Sequence, residues 1–318
     1  WHSLPNGRRR FARCLRSCGP EVVRILHLAK FYPPLRGGIE RFTSDLATGC
    51  ARSGDAVEVL SFGRQARTVS ETQDGVGVVR AASLGTLRSQ PLSPRYLSLG
   101  RTLQADLLHL HEPNPAGEWV ARRRGLPLIV SYHSEVIRQR LLGVALGPLR
   151  RAVLERAFRI VGATPRHLEA MPTLAPFRAR VAIIPYGVDP ARFQDGLPLP
   201  ASLAALTVLK EKHGPLALFV GRLVPYKGLG VLLEAMKELS LHLMVVGEGP
   251  EEASLRRRAV DLGVSERVHW VGSVSEEDLP HYHRLADLFV LPSLDRSEMF
   301  GYAILEAMAS ARSVVCTD

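Results

Sequence analysis

The chain has 318 residues, of which 46% are hydrophobic and 23% charged, with a formal net charge of +10. That is enough apolar side chain to bury a core and too little charge bias for disorder, and the length suits two domains of ordinary size. No uninterrupted apolar run reaches the roughly 18 to 20 residues of a spanning helix, because Arg, Gly or Pro recurs too often. Cys14, Cys18, Cys50 and Cys316 are too few and too scattered for a disulfide framework or a cysteine zinc site, which fits a reducing, cytoplasmic compartment.

Arg8, Arg9, Arg10, Arg13 and Arg16 precede the first acidic residue, Glu21, so much of the positive excess sits in a short leader. Residues 1–20 start without Met, mix Pro and Gly among the arginines and have no signal-peptide apolar run, and are expected to lie outside the fold. Further basic residues cluster at Arg122–Arg124, Arg138, Arg140, Arg150, Arg151, Arg156 and Arg159. A solvated basic face accounts for them most simply, and an anionic lipid surface is the next reading. With no aromatic interleaving and no recognition motif, nucleic acid is not an expected partner.

From Val22 onward, short β-branched runs alternate with helical periodicity, the pattern of parallel sheets covered by helices. The first half predicts strands at 23–28, 56–61, 77–80, 106–110, 128–132, 159–163 and 181–185, with helices near 39–52, 116–124, 146–157 and 165–171. A poorly patterned stretch from Val188 to about Pro215 reads as a connection holding a short helix. Strands at 216–220, 242–246, 268–271, 288–291 and 313–316 then flank helices near 229–239, 251–262, 276–285 and 301–310. The fold class is α/β, with two doubly wound, Rossmann-like lobes over 21–206 and 207–318. Ligands in such sheets bind at the carboxyl ends of the strands, so the lobes are expected to face a shared central cleft.

The segment Phe219-Val220-Gly221-Arg222-Leu223-Val224-Pro225-Tyr226-Lys227-Gly228-Leu229 leaves a strand through a tight loop and enters a helix with Leu229, Leu232, Leu233, Met236 and Leu239 on one face. Arg222 and Lys227 then stand beside the positive end of a helix, where peptide N–H groups and two cations converge on a phosphate. Taken alone, a turn with two exposed cations explains it equally. In Glu298-Met299-Phe300-Gly301-Tyr302-Ala303-Ile304-Leu305-Glu306, seven residues separate two carboxylates and Gly301 marks the loop-to-helix junction. At 1.5 Å per helical residue the pair spans roughly the distance from a sugar to a ribose, and carboxylates accept paired hydroxyl hydrogen bonds well.

Together these segments resemble glycosyltransferase family 4, retaining enzymes of the GT-B fold. The resemblance covers about Val22 to Asp318 and is most specific over Leu216 to Ala309. It rests on Gly-Arg, four residues, Lys-Gly; on the Val245-Val246-Gly247-Glu248-Gly249-Pro250 turn; on Val268-His269-Trp270-Val271-Gly272; and on Glu, seven residues, Glu. The resemblance implies that Arg222 and Lys227 bind the donor diphosphate, that Glu298 takes the sugar hydroxyls and Glu306 the ribose, that Phe300 and Gly301 line the donor site, and that the backbone at Trp270 and Val271 faces the base. It implies transfer from a nucleotide-diphosphate sugar to a saccharide or lipid-linked hydroxyl with retention of configuration, with no cofactor and no metal. Family members continue beyond the position of Asp318, so the second lobe is expected to be incomplete.

Weaker signals lie in the first lobe. Gly37 and Gly38, between a strand and a helix, resemble the family's first glycine loop and allow backbone N–H groups to approach a phosphate or the reacting sugar; a plain tight turn explains them nearly as well. His133, in Ser131-Tyr132-His133-Ser134 at a strand end, matches the family's histidine near the reaction centre. His109 and His111 share one face of a strand without an evident third ligand, which favours packing over metal binding. Val136–Arg159 combines apolar residues with arginines, as in helices that lie on an anionic membrane, and a helix packed on the lobe fits it at least as well. A nucleotide-sugar-binding protein without turnover is the rival functional reading. A dinucleotide oxidoreductase is excluded by the lack of a Gly-x-Gly-x-x-Gly turn.

Overall fold

The computed structural model describes residues 22–35, 37–87, 90–134, 140–169, 171–193, 203–295, 298 and 300–317. It divides into two compact units between Pro185 and Tyr186. The leader, Arg36, Met299 and residues 135–139 lie outside the described residues.

The first unit holds strands β1 (Arg24–Leu28), β2 (Ala56–Phe62), β3 (Val69–Gln73), β4 (Val76–Ala81), the short pair β5 (Thr86–Leu87) and β6 (Gln90–Pro91), then β7 (Leu107–Glu112), β8 (Leu128–Tyr132), β9 (Arg159–Gly162) and β10 (Val181–Ile183). Its helices are α1 (Gly38–Arg52), α2 (Pro94–Thr102), α3 (Pro115–Arg123), α4 (Arg140–Arg156) and α5 (Pro165–Glu169). An eight-stranded sheet runs in the order β10-β9-β8-β7-β1-β2-β4-β3. It is parallel except for β3, which pairs antiparallel with β4 through a turn at Asp74 and Gly75, both in the left-handed region. Central strands of such a sheet are buried on both faces. In β7 (LLHLHE) every residue from Leu108 to Glu112 is therefore buried, His109, His111 and Glu112 included.

Strands β3, β5 and β6 and helix α2 go beyond the sequence expectation. Strand β3 (VSETQ) is a polar, largely exposed edge with no apolar alternation to betray it. Helix α2 is started by Ser93, whose Oγ accepts the Tyr96 amide at 3.0 Å, with Pro94 in the first turn.

The second unit holds α6 (Ala204–His213), β11 (Leu216–Val220), α7 (Leu229–Ala235), β12 (His242–Val246), α8 (Glu252–Asp261), β13 (Val268–Gly272), α9 (Leu279–Leu285), β14 (Leu288–Leu291), α10 (Tyr302–Ala309) and β15 (Ser313–Cys316). Its five strands are all parallel, in the order β13-β12-β11-β14-β15. The core joins Leu216, Leu218 and Phe219 on β11 to Leu229, Leu232 and Leu233 on α7 and to Leu203 from the preceding segment. Described residues 186–193 and 203–206 fall within this unit. Helix α7 ends at Ala235, earlier than the periodicity suggests, and Leu239 is 42% exposed, not part of the buried face.

Each sheet reverses its strand order once, between β1 and β7 in the first unit and between β11 and β14 in the second. The loops leaving the carboxyl ends of those pairs border the crevice where open α/β sheets bind ligands. They are 29–37 and 113–114 in one unit, and 221–228 and 292–301 in the other.

Candidate active site

In the second unit the two switch-point loops are fastened together. The Leu294 amide donates to Tyr226 O at 2.7 Å. Gly228 adopts φ 71°, and a Cβ there would lie 1.8 Å from Pro292 O, so only glycine fits. The β12 turn closes from the other side: the Leu223 amide donates to Glu248 O at 3.0 Å, and the Glu251 amide to Leu223 O at 3.2 Å. A Cβ on Gly249 would approach Leu223 O to 2.2 Å, which accounts for glycine in that turn.

On this frame Lys227 pairs with Glu298, the ammonium meeting Oε2, with side chains 12% and 19% exposed. Ser293 Oγ donates to the same Oε2 at 3.4 Å. The Lys227 stem crosses Gly221, where a side chain would meet Lys227 Cε at 3.3 Å. Arg222 projects into solvent from the same strand end and forms no ion pair with a described residue. Lys227 from the β11 loop and the Glu298 carboxylate from the β14 loop are thereby brought together, and Arg222 is not part of that contact.

Glu306, inside α10, is 3% exposed, and its Oε2 lies 3.7 Å from Nε2 of the fully buried His283 on α9. Neither ring nitrogen of His283 has a hydrogen-bond partner among the described residues. Gly301 caps α10 in the left-handed conformation, and Phe300 packs on Tyr186 with ring centres 4.6 Å apart. Burial raises the Tyr186 phenol above its usual range. At the carboxyl end of β13 the pairing with β12 slips, so that Trp270 faces Val245 while Gly272 faces Val246, and Val271 is the extra residue. The Trp270 ring lies under the Arg256 guanidinium at 4.9 Å.

In the first unit, Gly37 is the N-cap of α1 and Gly38 its first residue, both exposed. The Glu40 carboxylate folds back over Gly37, to within 2.0 Å of where a Cβ would stand. Burial raises the Glu40 carboxyl and lowers the Lys30 ammonium. The switch-point loops are tied by Asn114, whose Nδ2 donates to Tyr96 Oη at 2.9 Å, while Tyr96 Oη donates to Ala29 O at 3.1 Å.

His133 is 3% exposed and takes its place among three other imidazoles. Its Nε2 lies 3.2 Å from His111 Nδ1, and His111 Nε2 lies 2.9 Å from His27 Nδ1. His109, whose Nε2 bonds Ser131 Oγ at 2.8 Å, stacks against both His27 and His111. The expectation that His109 and His111 have no evident third ligand is corrected here: β1 pairs with β7 in a register that puts His27 beside His109. One ligand atom from each of His27, His109 and His111 lies within 4.8 Å of the others. Burial depresses all three rings, His109 to about 4.

Behind β7, Arg150 Nε donates to Glu118 Oε1 at 2.9 Å, all but sealed from solvent, and the buried Glu112 carboxyl is raised by burial and by Glu118. Arg156 donates to Ala121 O and Leu126 O. Two arginines of the Val136–Arg159 segment therefore face the fold, which leaves the α4 surface less basic than its sequence suggests. No helix among the described residues is long and apolar enough to cross a membrane.

Comparison with known proteins gives the fold and the family. The fold is GT-B: a sucrose-phosphate synthase from Thermosynechococcus elongatus superposes with a TM-score of 0.73 at 21% identity, covering 92% of this chain and 81% of that one. An Anabaena protein solved with UDP and glucose gives 0.70 at 21% identity, covering 92% and 80%. Residues 36–192 match the model of glycosyltransferase family 4, and residues 207–318 that of the glycosyl transferases group 1. The chain is 31% identical over 302 residues to the O-antigen chain mannosyltransferase C of Escherichia coli, covering 93% of this chain and 80% of that protein. To a D-rhamnosyltransferase of Pseudomonas aeruginosa it is 33% identical, covering 93% and 78%. The chain belongs to the group 1 glycosyltransferases and is a glycosyltransferase.

Proposed function

We propose that the enzyme moves a sugar of manno configuration from a nucleoside-diphosphate donor to a hydroxyl of a saccharide or lipid-linked acceptor, with retention of anomeric configuration. The observation that carries this is the Lys227–Glu298 pair at the switch point of the second sheet. A diphosphate entering there draws Lys227 and Arg222 to its oxygens and releases the Glu298 carboxylate to accept hydrogen bonds from sugar hydroxyls. Glu306 takes the ribose hydroxyls, and the backbone at Trp270, Val271, Phe300 and Gly301 lines the nucleotide.

Catalysis is mainly charge stabilisation as the diphosphate departs, with His133 beside the reacting sugar and the acceptor entering on the face the diphosphate leaves. Two cations and peptide N–H groups balance the leaving group, so the reading includes no metal cofactor. The donor class follows the relatives: one is a mannosyltransferase, one a D-rhamnosyltransferase, and D-rhamnose is deoxygenated mannose. A third, a phosphatidylinositol monomannoside mannosyltransferase from Mycolicibacterium smegmatis, is by name GDP-mannose-dependent. Docking on an anionic membrane would fall to the exposed Arg122, Arg123, Arg151 and Arg159.

The test is a thermal-shift and product assay with GDP-mannose, UDP-glucose and ADP-glucose, the anomeric configuration being read by NMR. Stabilisation by GDP-mannose with an α-linked product is expected. Transfer with inversion, or undiminished transfer by Lys227→Ala, would overturn the reading.

A further inference from the structure

Helix α9 turns Leu279 and Tyr282 into the core of the second unit, and helical spacing carries His283 to the same face. Its imidazole is fully buried. Phe193 meets the ring edge-on at 6.1 Å, and Phe289 lies tilted against it at 5.6 Å between ring centres. Both ring nitrogens are sealed from solvent without a hydrogen-bond partner among the described residues. An apolar ring would fill this place at less cost, because a buried polar group left unmatched gives up its hydration for nothing. Packing alone therefore does not account for a histidine at this position.

The carboxylate across from it does. Helix α10 sets Glu306 Oε2 3.7 Å from His283 Nε2, with side chains 4% and 0% exposed. A closure of about 0.7 Å turns that contact into an ordinary N–H···O hydrogen bond. The bond needs only a proton on Nε2, which both the neutral Nε2–H imidazole and the imidazolium carry; the opposite tautomer would set a lone pair against the carboxylate. Each carboxylate oxygen accepts more than one hydrogen bond, so Oε2 can serve the imidazole and a ligand together. Partners behind a ligand-binding group fix the direction in which it meets the ligand.

We propose that His283 is a positioning residue for Glu306: Nε2–H bonds Oε2 and holds the carboxylate in the plane from which its remaining lone pairs accept the ribose hydroxyls. The proposal rests on the reading of Glu306 as the ribose ligand. Buried as it is, His283 meets no ligand itself. What it sets is the preference of the site for ribose, not the transfer step.

The experiment is calorimetric titration of the chain with GDP and with 2′,3′-dideoxy-GDP, which lacks the hydroxyls in question. His283→Phe should weaken GDP binding about tenfold, the worth of a hydrogen bond to a charged group, and leave dideoxy-GDP binding within about twofold of wild type. His283→Leu should do the same with a smaller side chain. His283→Gln, whose amide can donate from near the Nε2 position, should recover most of the loss. In turnover, His283→Phe should raise the donor KM about tenfold with kcat unchanged, since the ribose is held alike before and during transfer. In a Glu306→Ala background, His283→Phe should have no further effect on GDP. Equal losses for the two nucleotides, or no loss for either, would overturn the proposal. If Glu306→Ala removes the preference for GDP while His283→Phe keeps it, the positioning role alone falls; if Glu306→Ala binds GDP as wild type does, the ribose reading falls and the proposal with it.

Discussion

Lys227 and Glu298, from loops that follow different strands, close an ion pair across the switch point of the second sheet. Without a ligand each neutralises the other, and an arriving diphosphate competes with Glu298 for the ammonium. Lys227→Ala is expected to lower kcat/KM about a hundredfold, the loss of roughly 3 kcal/mol of transition-state stabilisation. Glu298→Gln keeps the shape and removes the charge; it should weaken transfer while leaving binding of the free nucleoside diphosphate equal or tighter. Steady-state kinetics alongside nucleotide titration checks both, and weaker diphosphate binding by Glu298→Gln would contradict the competition.

Gly228 and Gly54 separate two reasons for a left-handed glycine. At Gly54, with φ 99° and open space around the missing Cβ, alanine meets only the conformational cost, about 1 kcal/mol. At Gly228 the same substitution also drives a methyl into Pro292 O, and a loss above about 3 kcal/mol is expected from strain plus steric displacement. Urea midpoints of the two variants should differ accordingly; equal midpoints would mean that the loop shifts freely.

Arg150 faces two buried carboxyl groups, Glu118 and Glu112. Arg150→Met should destabilise the chain by about 3 to 5 kcal/mol, because the guanidinium that balances a buried carboxylate is gone. Arg150→Met combined with Glu118→Gln should recover part of that loss. Denaturant unfolding of the single and double variants provides the measurement.

Acid should unfold the first unit through its histidines. His109 is held near 4, and His27 and His111 well below the usual imidazole range, so below about pH 6.5 the unfolded chain binds protons that the folded chain refuses. Their contribution is complete above that pH and is lost as pH falls toward their depressed values. Three such groups give up to about 4 kcal/mol per pH unit, and the raised Glu112 carboxyl opposes them by up to about 1.4 above pH 4.5. His109→Gln should flatten the dependence of stability on pH between 5 and 6.5, and an unchanged slope would place the proton uptake elsewhere.

Membrane docking makes a separate prediction. If Arg122, Arg123, Arg151 and Arg159 meet anionic lipid, the chain should float with vesicles rich in phosphatidylglycerol at low salt and be released at about 0.5 M salt, where screening shortens the reach of charge. Failure to float under any salt condition would remove the membrane from the reading.

Every strand of the eight- and five-stranded sheets except β3 is legible, because each is a short apolar run bounded by turn residues, and the β11 loop and the β14 loop are legible because their glycines and charges sit within a few positions of one another. What escaped depends on distant pairing. His27 reveals nothing beside Leu26 and Leu28; its meaning comes from the register that sets β1 against β7. Arg150 reads as one charge of a solvated basic face until α3 and α4 pack and set it against Glu118. Strand β3 was missed for a local reason, since an edge strand facing water does not alternate, although the Asp74-Gly75 turn announces a hairpin.

That polar edge has its own consequence. Strand β3 fronts the sheet with Ser70, Glu71 and Thr72, and Arg80 from β4 holds Glu71 in a 2.8 Å pair. A strand from another molecule trying to extend the sheet there would have to strip water from a carboxylate and gain no apolar contact in return. This end of the sheet is guarded against self-association at the concentrations a crowded cell imposes, and replacing Glu71 and Thr72 by valine should be enough to make the enzyme stick to itself.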